Sequence, residues 1–400
     1  MKRVVITGSG TVNPLAKDVA GTYAALREGR CAIGPLQLRD VERLTVRIGA
    51  QIKDWLPEAQ FTRAELAMMD PFSQYAVAAA RQAVAEAGLR FDGDLAETSG
   101  VIIGSAGGGL HTTDDTYREV YQAGKSRVHP FVVPRLMLNA AASHVAIGFG
   151  LQGPVYAVSS ACSSSNHAIG QAFQMIRFGL AKVMLAGGSD AMLCFGGIKA
   201  WEGLRVMSAT GCRPFSAGRD GMVMGEGAAV FVLEEMDHAK ARGADILAEV
   251  AGFAMSADAA DMVHPSPKGA ARAMRLALRD AGLSAEDVGY INAHGTGTAA
   301  NDRSETAAIA DVFGVAAPPT SSTKAMHGHL MGGAGAVELL ACLMALRQGI
   351  LAPTIGHVAG DPECWLDVVP NVARMVRVRA TLSNSFAFGG LNAVLALKSI

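Results

Sequence analysis

The stretch that decides the reading is Val155-Tyr156-Ala157-Val158-Ser159-Ser160-Ala161-Cys162-Ser163-Ser164-Ser165-Asn166-His167, followed by the apolar-bearing run Ala168–Phe178. A short β-type run gives way to serines that suit helix capping, and then to a helical pattern. Cys162 stands at that junction. A thiol at the start of a helix faces unpaired N–H groups and the positive end of the macrodipole, and both favour the nucleophilic thiolate. Read alone, Cys162 remains as compatible with a small buried core residue as with a nucleophile.

Working outward, other apolar runs end in glycine: Val4–Ile6 before Gly8, Val101–Ile103 before Gly104, and Val183–Ala186 before Gly187. Between them lie Ala-rich stretches with helical spacing at 74–87, 164–178, 235–242, 270–281 and 335–347. Strands alternating with crossover helices predict an α/β chain with parallel pairing. An internal repeat is also visible. Ala83-Val84-Ala85-Glu86-Ala87-Gly88-Leu89 resembles Leu276-Ala277-Leu278-Arg279-Asp280-Ala281-Gly282-Leu283. Likewise Val158–Cys162 parallels Thr320–Lys324, each placing a reactive residue type where a strand meets a helix. Two related halves, 1–250 and 251–400, are expected.

Composition narrows the function classes. Only 18% of the 400 residues are charged, against about 25% on average, so a large core or a buried subunit interface is expected. The net charge of −1 provides no basic footprint for nucleic acid. No run approaches the ~18 apolar residues of a membrane span, and Val4–Ile6 after Met1-Lys2-Arg3 is too short for a secretory signal. A cytoplasmic protein is expected. The 6 cysteines are scattered without a C-x-x-C pair, which supports neither a disulfide framework nor a zinc site.

Three further segments carry chemistry. Ala293-His294-Gly295-Thr296-Gly297-Thr298 puts a histidine at the end of the apolar run Tyr290–Ala293, where ligands enter an α/β sheet. Threonine hydroxyls beside it are placed to fix the imidazole tautomer. In Ser321-Ser322-Thr323-Lys324-Ala325-Met326-His327-Gly328-His329 the two histidines are too close for the helical zinc motif, and no metal is expected. Asn384-Ser385-Phe386-Ala387-Phe388-Gly389-Gly390-Leu391-Asn392 allows close backbone approach to a ligand, or a tight turn between strands. Gly8-Ser9-Gly10 lacks the third glycine of a dinucleotide loop and reads as a strand-loop turn.

In combination, Ser160-Ala161-Cys162-Ser163-Ser164, Asn292–Thr298, Ser322-Thr323-Lys324 with Gly328-His329, and Phe388-Gly389-Gly390 resemble the β-ketoacyl-acyl-carrier-protein synthases, specifically the elongating ketosynthase II type. The resemblance covers essentially the whole chain. Val46–Ala50, Asn166–Ile169 and Lys199–Glu202 are closest to the nodulation-type E proteins. It implies a thiolase-like five-layer αβαβα fold of two pseudo-repeated halves, a homodimer, no cofactor, and acyl carrier protein as partner. The implied reaction adds two carbons to a fatty acyl chain by decarboxylative Claisen condensation with malonyl-carrier.

The resemblance also implies roles. Cys162 accepts the acyl group, and His294 and His329 donate to the malonyl thioester carbonyl. The backbone N–H groups of Cys162 and Phe388 form the oxyanion hole, and the Phe388 ring gates the acyl channel. Lys324 holds charge and orientation around His329, Thr296 and Thr298 bond the pantetheine arm, and Glu338 is structural. Three departures matter. Gly107 replaces a bulky aliphatic at the acyl-pocket wall, which predicts a longer or wider channel and long or unusual chains. Leu391 replaces a threonine after Phe-Gly-Gly. Ala64, Ala67 and Met68 replace basic carrier-gripping residues, leaving Arg63, Lys125, Arg127 and Arg205 for docking and predicting a dedicated carrier. A thiolase would need a second reactive cysteine in the C-terminal loop, an initiating ketosynthase uses His and Asn, and a chain-length partner lacks the nucleophile.

Overall fold

Val4–Val12 is buried along its whole length and forms β1, as a strand covered on both faces must be. The computed structural model describes residues 1–400. Four more strands belong to the first half: β2 (Ser99–Gly104), β3 (Val155–Val158), β4 (Val183–Asp190) and β5 (Gly227–Glu235). The second half contributes β6 (Ala248–Ala257), β7 (Val288–Asn292), β8 (Thr320–Ser321), β9 (Ala380–Ala387) and β10 (Leu391–Lys398). They hydrogen-bond in the order β8-β7-β9-β10-β6-β1-β5-β4-β2-β3. Counted outward from the centre, both halves run first, fifth, fourth, second, third, so one mixed topology occurs twice. The halves join where β1 pairs antiparallel with β6, Val4–Ile6 against Ala248–Val250. A cut at residue 250 would pass through β6, which lies wholly with the second half.

Six helices complete the layers: α1 (Pro71–Ala87), α2 (Ala140–Phe149), α3 (Ser164–Arg177), α4 (Pro267–Ala281), α5 (Ala299–Phe313) and α6 (Ala334–Gln348). The period-2 alternation of strand side chains sorts them. Val101, Ile103, Val183 and Leu185 pack outward against α1 and α2. Their neighbours Ile102, Met184 and Ala186 face inward onto Ala168 and Ile169 of α3 and Leu339, Leu340 and Leu343 of α6. Tyr290, Ala393 and Leu395 close the same core from the second half. Beyond them Val288, Ile291 and Val394 pack on α4 and α5. The result is the expected αβαβα sandwich. Helix α6 is apolar nearly all round because sheets cover it on both sides.

Gly8 and Gly10 belong to the strand and not to a turn. A Cβ at Gly10 would come within 2.0 Å of the Ala79 carbonyl oxygen, so both glycines exist to let α1 lie directly on β1. No helix is long and apolar enough to cross a membrane.

Candidate active site

Strand β3 ends at Val158 and α3 begins at Ser164. Between them the chain turns through Ala161, whose φ is +50°, a conformation costing an L-residue about 1–2 kcal/mol. Serines hold that turn. Ser164 Oγ accepts from the Ser160 N–H at 2.9 Å and donates to the Ala161 carbonyl at 2.6 Å, while Ser163 Oγ donates to the Ser160 carbonyl at 2.9 Å. Cys162 precedes the N-cap Ser163 and so stands just outside the helix. It is buried, and burial pushes its thiol up to about 12 although the Lys324 ammonium draws it down. Desolvation is the largest influence on the thiol, acting against the Lys324 charge. The N–H groups of Cys162 and Phe388, both outside helix and strand, enter no backbone hydrogen bond of the turns and loops.

The two histidines converge from separate loops, with ring centroids 5.4 Å apart and planes at 81°. His294 follows β7. The buried Glu305 carboxylate on α5 accepts from the N–H groups of His294 and Gly295 at 2.8 and 2.7 Å. His329 is held through its backbone, donating to the Val223 carbonyl at 2.7 Å and accepting from Gly225 at 2.8 Å. Their protons can be assigned from their neighbours. The Met331 N–H donates to His329 Nδ1 at 3.2 Å. Lys324 Nζ lies 3.5 Å from His294 Nδ1, and an ammonium is only a donor. Both Nδ1 atoms are acceptors, so both rings carry the proton on Nε2. Burial, reinforced by the Lys324 charge, holds both imidazoles well below their ordinary range and hence neutral.

Lys324 corrects one expectation. Its charge reaches both rings, but its hydrogen bonds go to His294 rather than His329, donating to the His294 carbonyl at 2.6 Å and to Glu338 Oε1. Both members of that ion pair are fully buried. The threonines do not set a tautomer either, because Thr296 Oγ1 and Thr298 Oγ1 bond each other at 2.9 Å. His327 points into other contacts, at 2.9 Å from Thr323 Oγ1 and 2.8 Å from the Gly328 carbonyl.

Cys162, His294, His329, Thr296, Thr298 and Phe388 all line one cavity of about 220 Å³. The Phe388 ring stacks on Trp201, centroids 5.8 Å apart and planes at 21°. The loop behind it is tied down by the Gly389 N–H, which donates to the Met262 carbonyl at 2.8 Å. Gly107 is not among the cavity-lining residues, and the widening expected there is filled. A Cβ at Gly107 would stand 2.8 Å from Met192 Sδ, so the methionine occupies the vacated space. Arg63, Lys125, Arg127 and Arg205 are all exposed, and Lys125 is paired with Glu119 at 2.8 Å. Glu305 and Met192 went unread in the sequence, and Trp201 was read only as part of the Lys199–Glu202 resemblance, without its contact with Phe388. Neither Glu305 nor Met192 carries a local signal, since Glu305 follows the polar run Asn301–Ser304 and Met192 lies in a loop.

Cys162, His294, Thr296, Thr298 and His329 fall within two matched family models, and Phe388 lies beyond the second. The N-terminal domain of β-ketoacyl synthase matches residues 1–239 and the C-terminal domain matches 247–357. The chain belongs to the β-ketoacyl synthase family. This β-ketoacyl synthase is 50% identical over 401 residues to nodulation protein E of Rhizobium sp. (strain N33), covering 100% of both chains. It is 40% identical over 406 residues to 3-oxoacyl-[acyl-carrier-protein] synthase 2 of Staphylococcus aureus (strain N315), covering 99% and 98%. Among solved structures it matches a type II PKS acyl-carrier protein's ketosynthase, in complex with that carrier and bound to the hexaketide. That match has TM-score 0.90 and 31% identity, over 100% of this chain and 99% of the other.

Proposed function

We propose that this synthase elongates an acyl chain held on Cys162 by two carbons, with malonyl-carrier as donor and acyl carrier protein as partner. The observation that carries the reading is the pair of neutral Nε2–H imidazoles facing the same cavity as a buried thiol. Cys162 attacks the carbonyl of an acyl-carrier thioester. The free N–H groups of Cys162 and Phe388 hold the oxyanion, and the carrier thiol leaves with the proton that Cys162 gave up. Malonyl-carrier then loses CO₂, and the bond's electrons pass to the thioester oxygen. His294 and His329 hold that enolate oxygen with their Nε2 protons. The enolate carbon attacks the acyl-Cys162 carbonyl, the C–S bond breaks, and the thiolate takes up one proton from solvent, the proton that loss of CO₂ from a carboxylate consumes overall. The 3-oxoacyl-carrier product departs two carbons longer. Lys324 and Glu338 support His294, and no cofactor enters any step.

In the same reading Thr296 and Thr298 meet the pantetheine arm, Phe388 gates the channel, and Arg63, Arg127 and Arg205 join Lys125 in gripping a dedicated carrier. A homodimer is supported by the large apolar side chains left exposed on the chain, among them Tyr121, 80% exposed, and Val133, 62% exposed. A cytoplasmic location is supported by six free cysteines. The test is to incubate the protein with acyl-carriers of graded length, map the adduct by mass spectrometry, and measure malonyl-dependent extension. An acyl adduct on Cys162 with a product two carbons longer is expected. Absence of the adduct overturns the reading.

A further inference from the structure

Asp190, at the end of β4, is fully buried and lies outside the cavity. Its carboxylate receives four hydrogen bonds from two different loops. Oδ1 accepts from Ser105 Oγ at 2.7 Å and from the Gly107 N–H at 3.0 Å. Oδ2 accepts from the Ala106 N–H at 2.9 Å and from the Gly332 N–H at 2.6 Å. The other side of Gly332 is gripped from the nucleophile's own helix, where Ser165 Oγ donates to the Gly332 carbonyl. There is no slack in this arrangement. A Cβ at Gly332 would come 2.5 Å from Ala106 N and 2.7 Å from Asp190 Oδ2.

The gripped residue begins where His329 is oriented. Met331, one residue earlier and at φ +50°, supplies the N–H that fixes His329 Nδ1. We infer that Asp190 is a positioning residue for His329, acting through the Gly332 N–H to hold the Met331 turn that aims the imidazole into the cavity. This rests on the reaction proposed above and assigns Asp190 to one half of it. Aiming His329 matters for malonyl decarboxylation and not for acyl transfer to Cys162. The Asp190 charge moreover opposes the Cys162 thiolate, so removing it leaves acylation unhindered.

The test compares Asp190→Ala, Asp190→Asn and Ser165→Ala in two separated assays: acyl transfer from acyl-carrier to Cys162, and CO₂ release from malonyl-carrier. In Asp190→Ala, kcat for CO₂ release is expected to fall about tenfold to a hundredfold, with KM and acylation within about threefold of wild type. Asp190→Asn is the rescue. Its amide oxygen can take Ala106 and Gly332 while its NH₂ donates to Ser105 Oγ; only the Gly107 N–H loses its acceptor, and since the grip on Gly332 is kept most of the rate is expected to return. Ser165→Ala releases the opposite grip on Gly332 and is expected to slow CO₂ release alone, which settles the matter if Asp190→Ala does not fold. CO₂ release unchanged in Ser165→Ala and in any folded Asp190→Ala overturns the inference, as does an equal fall in both assays. A wild-type protein that releases no CO₂ overturns the reaction itself, whereas an active wild type with unaffected variants overturns only the role of Asp190.

Discussion

Replacing Lys324 with methionine keeps an unbranched side chain one atom shorter and removes the charge from a site with 0% exposure for both partners. The Glu338 carboxylate is then buried without its counter-ion, and the His294 carbonyl loses a 2.6 Å donor. Breaking one side of a buried ion pair costs about 3–5 kcal/mol. Set against a total stability of about 5–15 kcal/mol, Lys324→Met should fold but unfold at clearly lower urea. The loss should also depend on pH. Burial already raises the Glu338 carboxyl above its ordinary 4.5, and Lys324 pulls it down. Without Lys324 the folded-state value rises further. A carboxyl whose folded value exceeds its unfolded value favours the folded state only while protonated, so the penalty is absent below about 4.5 and grows as pH climbs towards the folded value. Urea unfolding of wild type, Lys324→Met, Glu338→Gln and the double variant at about pH 5 and pH 8 measures this. Lys324→Met is expected to lose more at the higher pH, and Glu338→Gln is expected to restore most of it. Equal losses at both pH values, or no rescue, would refute the reasoning.

Three further outcomes follow from the site. With the Cys162 thiol pushed up to about 12, iodoacetamide labelling should accelerate about tenfold per pH unit between pH 7 and 10. A plateau below pH 9 would show that the helix end prevails over burial. His294→Ala and His329→Ala should each slow malonyl decarboxylation by about 10²–10³ while Cys162 still takes an acyl group from its carrier; joint loss of both half-reactions would contradict the donor role. Met192→Ala should raise the longest acyl chain extended, since the methionine fills the space beside Gly107, whereas Gly107→Val should destabilise by about 1–3 kcal/mol through overpacking. Identical product lengths from Met192→Ala and wild type would remove Met192 from any part in chain length.

Cys162 and His294 were legible as candidates because each stands where an apolar strand stops, which is a local pattern, whereas His329 follows the turn Lys324–His327 and was singled out through the resemblance. What the sequence hid were the groups whose meaning arises only on folding. The Ser105 hydroxyl reaches Asp190 across 85 residues and the Gly332 amide across 142, so in one dimension Asp190 is merely an acid after Val183–Ser189. Lys324 misled for the same reason. The resemblance placed it around His329, but the helical turn Lys324–His327 directs its hydrogen bonds to His294, 30 residues back. The repeat was legible from two Gly-Leu helix ends, yet the boundary at 250 missed by a few residues because β1 and β6 pair edge to edge and give no linker. Gly107 misled in the opposite way: a missing side chain was read as space, and packing had already filled it with Met192.

Lys324 is not among the residues lining the cavity, and its charge is balanced by Glu338, so it offers no proton or ion pair to a substrate. Its field, added to burial, keeps both imidazoles neutral. A protonated histidine would hand its proton to an enolate and quench the carbon that must attack. A neutral Nε2–H holds the oxygen without surrendering its proton, which is what carbon–carbon bond formation requires. A buried lysine is thus better placed one layer behind the reacting atoms than among them, and the desolvated pair it forms with Glu338 is the stability cost of that placement.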